Sequence, residues 1–379
     1  MSEERAPVGG RLFTLPFLIC LVVAAIAAVL LVKRYTQGIG AVSNMNDGYA
    51  WGLWVTYDII IGTGLACGGF AMALLVYILN KGHYHPLVRP ALLASLLGYT
   101  MAGVSILIDV GRYWQGYNIL LPKYMNFNSV MLEVALCVAS YIGILWIEFS
   151  PTFLEGWGAK ETAKKVGRFM FIFIALGILL PTMHQSSLGS FMIISGHKLH
   201  PLWQTTLLPL LFLLSAITMG YCAVVFESYL ASRAFKRPAE TPILGKVSGI
   251  VAWLLVIFLV FRFGDLVMRG QLGLAFKGDL NGNMFLIESL LFILPAVMLL
   301  PKANRSKPRT LFSAGGLMLL AGAVYRFNVF LVGFHPAPGW QYFPSVSEIM
   351  ITLGVIALEV MLYLFIVKKF PVLPRLEHA

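Results

Sequence analysis

Charged residues are scarce in this chain of 379 residues: 12% are charged and 59% are hydrophobic. Soluble domains carry about 25% charged residues, so the composition excludes an ordinary soluble enzyme. Cysteine is scarce as well, because the chain has 4 cysteines and none of them forms a C-x-x-C pair. The sequence therefore predicts that this chain has neither an iron–sulfur ligand set of its own nor a disulfide framework.

Histidine placement limits the metal chemistry of the chain. A b-type haem in a membrane is usually held by histidines on facing helices. Of the 7 histidines, His184 alone lies within a long apolar stretch. His83 and His85 lie in a predicted loop and are too few for a metal site. We therefore expect no haem and no metal in this chain, while a haem with other ligands, or one shared with a partner chain, stays open.

Long apolar stretches recur along the whole sequence, and each is long enough to cross a bilayer. They predict an all-α polytopic membrane protein with about ten transmembrane helices. The first stretch is too long for a signal peptide, so we interpret it as a retained helix. The stretches cover residues 13–32, 51–79, 91–110, 128–148, 169–189, 203–230, 247–268, 283–300, 311–333 and 346–367.

The basic charge is distributed unevenly between the loops. The chain has a net charge of +11, but most lysines and arginines fall in the two termini and in the even-numbered loops. Cytoplasmic loops are enriched in Lys and Arg, so both termini are predicted to be cytoplasmic. The other side keeps few basic residues, among them Lys33, Arg34 and Arg269. The charge thus indicates topology, and we expect no nucleic-acid partner.

A short pattern, N-x-N-x4-E, occurs twice, at Asn126–Glu133 and at Asn281–Glu288. An aspartate, Asp109 or Asp265, precedes each copy at nearly the same distance. This repeat predicts two related four-helix bundles with a flanking helix at each end. The predicted segments are 1–50 with helix 1, 51–200 with the first bundle, 201–335 with the second bundle, and 336–379 with helix 10 and a short tail.

Four ionisable residues, Asp58, Asp109, Glu133 and His184, lie in or beside four different apolar stretches. An ionisable group at membrane depth costs at least ~2.5–3.5 kcal/mol, so it is seldom kept without a function. Alternating helix directions place all four toward the outer face. They predict a site for a lipid-soluble acid, base or redox carrier. The alternative is structural: an Asp109–Arg112 ion pair, with carboxylates satisfied by hydroxyls and backbone.

Two further groups of ionisable residues lie in the apolar stretches. The second bundle carries two arginines and two acids, a balance that indicates a neutralised structural network. These are Arg262, Asp265, Glu288 and Arg326. Three other glutamates could form a proton route across the membrane, although Glu148 would equally suit the cytoplasmic interface. These are Glu148, Glu227 and Glu359.

Four motifs resemble the NrfD/PsrC family of quinone-interacting membrane subunits, and the likeness runs from about residue 9 to residue 374. Within that family, the sequence is most similar to the membrane subunits of periplasmic, hydrogenase-2-type nickel–iron hydrogenases. The motifs are W-G-L-W-V-T-Y-D (51–58), H-P-L-V-R-P-A-L-L-A-S-L-L-G-Y (85–99), I-D-V-G-R-Y-W (108–114) and P-T-M-H-Q-S-S-L-G-S (181–190).

The resemblance implies a quinone, menaquinone or ubiquinone, bound in the first bundle near the periplasmic face of a bacterial cytoplasmic membrane. It implies no redox metal in this chain. Electrons would come from a ferredoxin-like iron–sulfur subunit, supplied by the small and large subunits of a nickel–iron hydrogenase. The residues that would bind the quinone, donate protons to it or line its pocket are His184, Asp109, Asp58, Glu133, Arg112, Tyr113 and Trp114.

Two other functions fit parts of the sequence. The chain could be a quinol-oxidising subunit of a different respiratory oxidoreductase, because the catalytic metal would lie in another chain. It could also be a secondary transporter, since internal repeats and intramembrane carboxylates occur in that class. A matched pair of interrupted helices, typical of transporters, is not evident in the sequence.

Overall fold

The computed structural model describes residues 5–374 and confirms an all-α, multi-pass architecture. It contains ten helices that are long and apolar enough to cross a membrane. These are α1 (Leu15–Gln37), α2 (Trp54–Ile78), α3 (Gly82–Asp109), α4 (Val130–Gly156), α5 (Met170–Ile194), α6 (Leu208–Ala234), α7 (Thr241–Met268), α8 (Leu280–Leu299), α9 (Pro308–Val332) and α10 (Val346–Lys369).

Short elements connect or extend these helices. The first part of α3, Gly82–Leu87, is a 3-10 segment that continues into the α-helix Val88–Asp109, so α3 begins earlier than predicted. A helix over Lys160–Arg168 joins α4 to α5. Two short strands, β1 (Arg5–Ala6) and β2 (Leu373–Pro374), pair antiparallel. This pairing holds the two ends of the described chain at one side, as an even number of crossings requires.

The chain forms two compact units. Unit 1 comprises residues 5–63, 88–180 and 339–374, and unit 2 comprises Gly64–Leu87 and Pro181–Pro338. Helices α1 and α10 therefore belong to the same unit as α3, α4 and the first part of α2. The predicted segments ended instead at residues 50, 200 and 335. That sequence-based division remains a prediction.

Unit 1 is organised around the close packing of α1 on α10. Gly354 of α10 permits this approach, because a Cβ at that position would overlap the Cβ of Ala27 on α1. Helix α10 also packs on α3 and on the first part of α2. A buried apolar cluster fills the space between these helices and contains Val42, Trp54, Met101, Ile108, Ile351 and Val355.

Unit 2 is organised around α6, which packs on α7, on α9 and on the second part of α2. Helix α2 is interrupted here between Gly62–Leu65 and Gly68–Ala73. The interruption fits closely against α6, since a Cβ on Gly220 would lie 2.5 Å from the carbonyl oxygen of Cys67. A small residue at position 220 is therefore required for the packing of α6 on α2.

Replacing Gly354 by alanine should destabilise unit 1. The new methyl group would push α10 away from Ala27, and overpacking of this kind costs about 1–3 kcal/mol. We expect a lower thermal unfolding midpoint in detergent. The matched control is Gly143→Ala in α4, where a Cβ meets nothing within 4 Å. Equal midpoints for the two variants would contradict the described packing of α1 on α10.

Candidate functional site

Asp58 lies in the first part of α2, where the backbone is π-helical over Trp54–Ile61. Such segments are rare and often occur at functional sites. The Asp58 side chain is buried, with 6% of its surface exposed. The hydroxyls of Ser105 on α3 and Thr352 on α10 face it. The three helices thus bring one carboxyl and two hydroxyl groups together inside unit 1.

This cluster has hydrogen-bonding capacity that unit 1 does not use. The Ser105 and Thr352 hydroxyls interact with the Asp58 carboxyl, but Asp58 Oδ2, Ser105 Oγ and Thr352 Oγ1 are buried and make no hydrogen bond of full geometry among residues 5–374. The same is true of Nε1 of Trp54. Buried polar atoms in proteins are almost always partnered, so four such atoms in one region need an explanation. A site that binds the polar groups of a ligand provides one.

Asp58 also has no basic partner. Within the described part of the chain, no ion pair includes this residue. Two further acids, Glu359 and Asp109, interact electrostatically with Asp58, and Glu359 lies two turns beyond Thr352 on α10, or about 10 Å along the axis. An unpaired carboxylate in a membrane is costly. The arrangement therefore favours a carboxyl group that holds and releases a proton.

Asp109 is the last residue of α3, and Arg34 binds the backbone carbonyls of the residues on either side of it. Arg34 is 2% exposed and donates from Nε to the Ile108 carbonyl at 2.8 Å and from Nη2 to the Val110 carbonyl at 2.7 Å. These bonds satisfy carbonyls that the end of a helix leaves without partners. The sequence placed Arg34 in an outer loop, which is wrong: it belongs to α1, and these carbonyls permit its burial.

The carboxyl group of Asp109 is not neutralised by Arg112. Among the ion pairs formed within residues 5–374, none joins these two residues, and Arg112 is exposed. The backbone N–H of Gly52 faces Asp109, while Oδ1 of Asp109 is buried and has no partner in the described chain. The structural alternative for this residue, an Asp109–Arg112 ion pair, is therefore wrong.

Two aromatic residues of the third motif lie at the end of α3. Tyr113 packs edge-to-face on Tyr35, with ring centroids 4.8 Å apart, and on Trp114 at 5.1 Å. The guanidinium of Arg34 lies 5.4 Å from the Tyr113 ring. Trp114 is 60% exposed. The pair is thus positioned at the surface, next to the buried Asp109 region.

Sequence reasoning missed a buried carboxylate that positions the start of α2. Glu348 on α10 is 0% exposed. It accepts hydrogen bonds from the Tyr342 hydroxyl at 2.5 Å, the Asn44 backbone N–H at 2.9 Å and the Ser345 backbone N–H at 2.7 Å. The Tyr342 oxygen in turn accepts from the Leu53 N–H at 2.8 Å. Glu348 therefore fixes the loop that leads to Asp58.

Tyr342 acts as a neutral link in this chain of contacts. Burial, followed by the hydrogen bond to Glu348, raises the pKa of the Tyr342 phenol above its usual range. The hydroxyl therefore keeps its proton and donates it to the carboxylate. Only the S-x-x-E pattern of Ser345 and Glu348, a capping box at the start of α10, could have drawn attention to Glu348 in the sequence.

The remaining predicted acids are more dispersed. Glu133 lies in the first turn of α4 and is half-buried. Glu148 lies fifteen residues later, about 22 Å along the same helix. Its Oε1 atom is buried and unpartnered within the described residues, and Gly177 of α5 makes room for it. In unit 2, Glu227 is half-buried.

His184 belongs to unit 2, whereas Asp58, Asp109 and Glu133 belong to unit 1. His184 is fully buried, and its Nε2 lies 3.2 Å from Nε2 of Gln185. The Gln185 Oε1 atom accepts a hydrogen bond from Arg326 at 2.9 Å. A Cβ on Gly64 would lie 2.9 Å from Nε of Arg326. Within unit 2, Arg326 thus donates to a side-chain amide and, at 3.5 Å, to the backbone carbonyl of Phe212.

The predicted charge network of the second bundle divides into separate pairs. Glu288 is 1% exposed and lies 3.1 Å from Arg262. It also accepts from Trp203 Nε1 at 2.7 Å and from Asn328 Nδ2 at 2.8 Å. The Glu288 carboxylate thus has one cationic partner and two further hydrogen-bond donors, an arrangement that fits the expected structural role.

Asp265 has a partner that the sequence did not indicate. It pairs with Arg269 one turn later, at 2.6 Å, and accepts from the Thr205 hydroxyl at 2.8 Å. Arg269 was predicted to be an outer-loop residue without an assigned partner. Its Nη1 atom also donates to the Pro201 carbonyl at 2.9 Å. These bonds retain Arg269 at the end of α7.

The fold and this site define a class: a polytopic helical membrane protein with buried acids, among which Asp58 and Asp109 form no ion pair within the described residues, whereas Glu288 and Asp265 do. The chain belongs to the NrfD family, because the family described as polysulphide reductase, NrfD, matches residues 41–336.

Similar proteins confirm the predicted resemblance. The probable Ni/Fe-hydrogenase 2 b-type cytochrome subunit of Escherichia coli (strain K12) is 45% identical, over 100% of this chain and 97% of that protein. The integral membrane subunit of menaquinone reductase from Nitratidesulfovibrio vulgaris is 25% identical, over 89% of this chain and 87% of that subunit. The Hdr-like menaquinol oxidoreductase integral membrane subunit of Archaeoglobus fulgidus is 22% identical, over 95% of this chain and 94% of that subunit.

The name of the Escherichia coli relative raises the question of a haem. His83 and His85 are exposed at the start of α3, and Nε2 of His184 contacts Gln185. In the described part of the chain, His184 is the sole histidine buried in a membrane-crossing helix. Two facing, buried histidines are the usual ligands of such a haem. The residues present do not fit a bis-histidine haem held by this chain alone.

The paired and unpaired acids should respond differently to neutralisation. Glu288→Gln would leave Arg262 buried without an anion, and breaking a buried pair costs about 3–5 kcal/mol. We expect a marked loss of thermal stability in detergent. Glu161→Gln is the control, because Glu161 forms an exposed pair with Lys164 at 2.9 Å, and such pairs contribute roughly 0–1 kcal/mol. Equal stability of both variants would rule out the structural role of Glu288.

Proposed function

We propose that this chain is the quinone-reactive membrane subunit of a hydrogenase complex. It receives electrons from an iron–sulfur partner and passes them to menaquinone or ubiquinone in the bilayer. Family membership supports this proposal, as do a hydrogenase subunit and a menaquinone reductase subunit among the similar proteins. The observation that carries it is the buried Asp58 carboxyl of unit 1, which has the Ser105 and Thr352 hydroxyls beside it and no ion pair within the described residues.

The chemistry of quinone reduction matches these groups. Reduction of a quinone to a quinol takes up two electrons and two protons, and the protons bind to the two carbonyl oxygens. A side chain within hydrogen-bonding reach accelerates such a transfer when it can give up its proton near ambient pH. In the proposal, Asp58 donates to one quinone oxygen, Ser105 and Thr352 orient that oxygen, and Asp58 is then reprotonated from the aqueous side.

The other predicted residues have supporting roles in this proposal. Asp109, whose Oδ1 has no partner in the described chain and whose carboxyl faces the N–H of Gly52, is the second proton donor of unit 1. Glu133 on α4 passes protons to Asp109. His184 is a further quinone ligand in this proposal, because it lies in the motif at 181–190 and because histidine exchanges protons near neutral pH. Arg112, Tyr113 and Trp114 line the entrance.

The iron–sulfur partner would dock where Tyr113 and Trp114 are exposed. The segment Tyr113–Leu120 also presents Tyr117, which is 61% exposed. Protein interfaces are enriched in aromatic residues of this kind. The partner is a ferredoxin-like subunit that connects this chain to the small and large subunits of a nickel–iron hydrogenase. In this proposal hydrogen is activated in the large subunit, outside this chain.

In this proposal, three glutamates supply protons from the cytoplasmic side of the membrane. Glu359 lies on the same face of α10 as Thr352, since seven residues make nearly two full helical turns. Glu148 has an unpartnered oxygen beside Gly177, and Glu227 is half-buried in unit 2. Proton uptake through these residues would make quinone reduction electrogenic.

Hydrogen-dependent quinone reduction by membranes tests the proposed function. Deleting the chain should abolish quinol formation while hydrogen-driven reduction of a soluble dye persists. Asp58→Asn should lower quinone reduction about 10²-fold or more, the usual contribution of a proton donor, and leave dye reduction unchanged. The control Glu161→Gln alters a side chain that is 82% exposed.

The outcomes separate the competing functions. If deletion leaves quinone reduction intact, the chain is not the quinone-reducing subunit of a hydrogenase. If deletion instead stops the oxidation of added quinol by another terminal oxidoreductase, the chain belongs to a quinol-oxidising complex. If Asp58→Asn and Glu161→Gln are equally active, Asp58 is not the proton donor, whatever the partner enzyme.

We further propose that the chain lies in the bacterial cytoplasmic membrane with both termini in the cytoplasm. The pairing of β1 with β2 supports a position of both ends on one side, and the enrichment of basic residues in the termini and even-numbered loops supports the cytoplasm as that side. A C-terminal fluorescent-protein fusion should fluoresce, and alkaline phosphatase should be inactive at that position. Phosphatase inserted at the exposed Lys123 should be active. The reverse pattern would invert the topology.

A further inference from the structure

An open, basic cavity lies at one end of unit 2, apart from the site described above. Its volume is about 470 Å³, and its lining includes Lys246 on α7 together with Lys302 and Arg305 in the turn between α8 and α9. That volume is within the range of ligand pockets, about 300–1,000 Å³. Three membrane-crossing helices begin or end around the cavity, so it lies at the level of lipid headgroups.

The cationic wall is built by close backbone packing. Gly245 and Gly249, one turn apart on α7, allow the turn to approach. A Cβ at Gly245 would overlap the Arg305 carbonyl oxygen, and a Cβ at Gly249 would overlap Nη1 of Arg305. Asn304 fixes the turn by donating to the Met298 carbonyl at 3.0 Å. The position of Arg305 beside the cavity is thus determined by main-chain contacts.

The three cations are not neutralised by the protein. In residues 5–374, no carboxylate forms an ion pair with Lys246, Lys302 or Arg305. Arg305 donates from Nη2 to the Leu300 carbonyl at 3.2 Å, whereas its buried Nε has no partner in that part of the chain. The nearby acid Glu240 accepts instead from Ser228 at 3.4 Å. A bound anion would neutralise these three cations and accept their hydrogen bonds.

An apolar stripe continues from Lys246 down the same face of α7. Trp253, Ile257 and Val260 follow Lys246 by 7, 11 and 14 residues, spacings that keep them within about 40° of it around the helix. They are 65%, 41% and 65% exposed. A ligand with an anionic head and hydrocarbon chains would contact both the basic cavity and this stripe, whereas a free phosphate would contact only the cavity.

We propose that this cavity binds the phosphate group of an anionic phospholipid, with the acyl chains lying along Trp253, Ile257 and Val260. Basic pockets between transmembrane helices on the cytoplasmic side are known to bind such headgroups. The shared chemistry is a phosphate bound by Lys246, Lys302 and Arg305, and the apolar stripe selects lipid over the free ion. This inference does not depend on the quinone chemistry of unit 1.

Native mass spectrometry and thermal unfolding of the purified full-length chain in detergent test this proposal. Cardiolipin or phosphatidylglycerol should raise the unfolding midpoint and remain bound, and phosphatidylcholine should not. The double variant Lys246→Gln/Lys302→Gln should weaken apparent lipid affinity about tenfold or more. The matched control is Lys307→Gln/Arg309→Gln, which removes the same charge from exposed neighbours that do not line the cavity.

Each result decides the question. Loss of lipid in the cavity variant alone supports the site, and Arg305→Lys, which keeps the charge, should then bind more weakly than wild type without unfolding. Equal loss in both double variants would show that general surface charge attracts the lipid, and no loss in either would likewise overturn the proposal. Stabilisation by inorganic phosphate equal to that by lipid would assign the cavity to the free ion.

Discussion

A charge inside a membrane has to be paired, and the rest of this structure depends on how each unit meets that constraint. In unit 2, the buried carboxylate of Glu288 forms a salt bridge with Arg262 and accepts hydrogen bonds from Trp203 and Asn328. Unit 1 does not pair Asp58 with any cation of the described chain, although Asp58 is buried almost as completely. An unpaired acid in a membrane is costly as an anion, so Asp58 of unit 1 is the acid to which we assign the first proton transfer to quinone.

The helices and the buried acids could be predicted from the sequence, but their partners could not. Ten apolar stretches define ten helices, and Asp58 is conspicuous as an acid within one of them. Its neighbour Thr352 and the positioning residue Glu348 come from α10, nearly three hundred residues later. Lateral packing between distant helices leaves no periodic signal in the sequence. For the same reason, Arg34 was taken for a loop residue although carbonyls at the end of α3 bind it.

The interruption of α2 bears on the transporter alternative. Transporters with internal repeats place their sites at matched pairs of broken helices. Helix α2 is broken between Gly62–Leu65 and Gly68–Ala73, but its counterpart under the predicted repeat is α6, which is continuous over Leu208–Ala234. The break is filled by the close approach of Gly220. It is therefore a packing feature of one helix, and the quinone-reactive function accounts better for the unpaired acids.

The predicted repeat also explains how two related bundles could come to differ in function. Asp265 has Arg269 four residues later, and the two side chains form a salt bridge. The equivalent aspartate, Asp109, has Tyr113 at that position. The cation near Asp109 is Arg34 of α1, which donates its hydrogen bonds to backbone carbonyls. One carboxylate oxygen of Asp109 therefore has no hydrogen-bond partner in the described chain. The backbone differs as well, because Asp265 lies within α7, where residue 269 follows one helical turn later, whereas α3 ends at Asp109 and Tyr113 begins a separate 3-10 segment. The two aspartates therefore have different partners for two reasons, the residue type four positions later and the place where the helix ends.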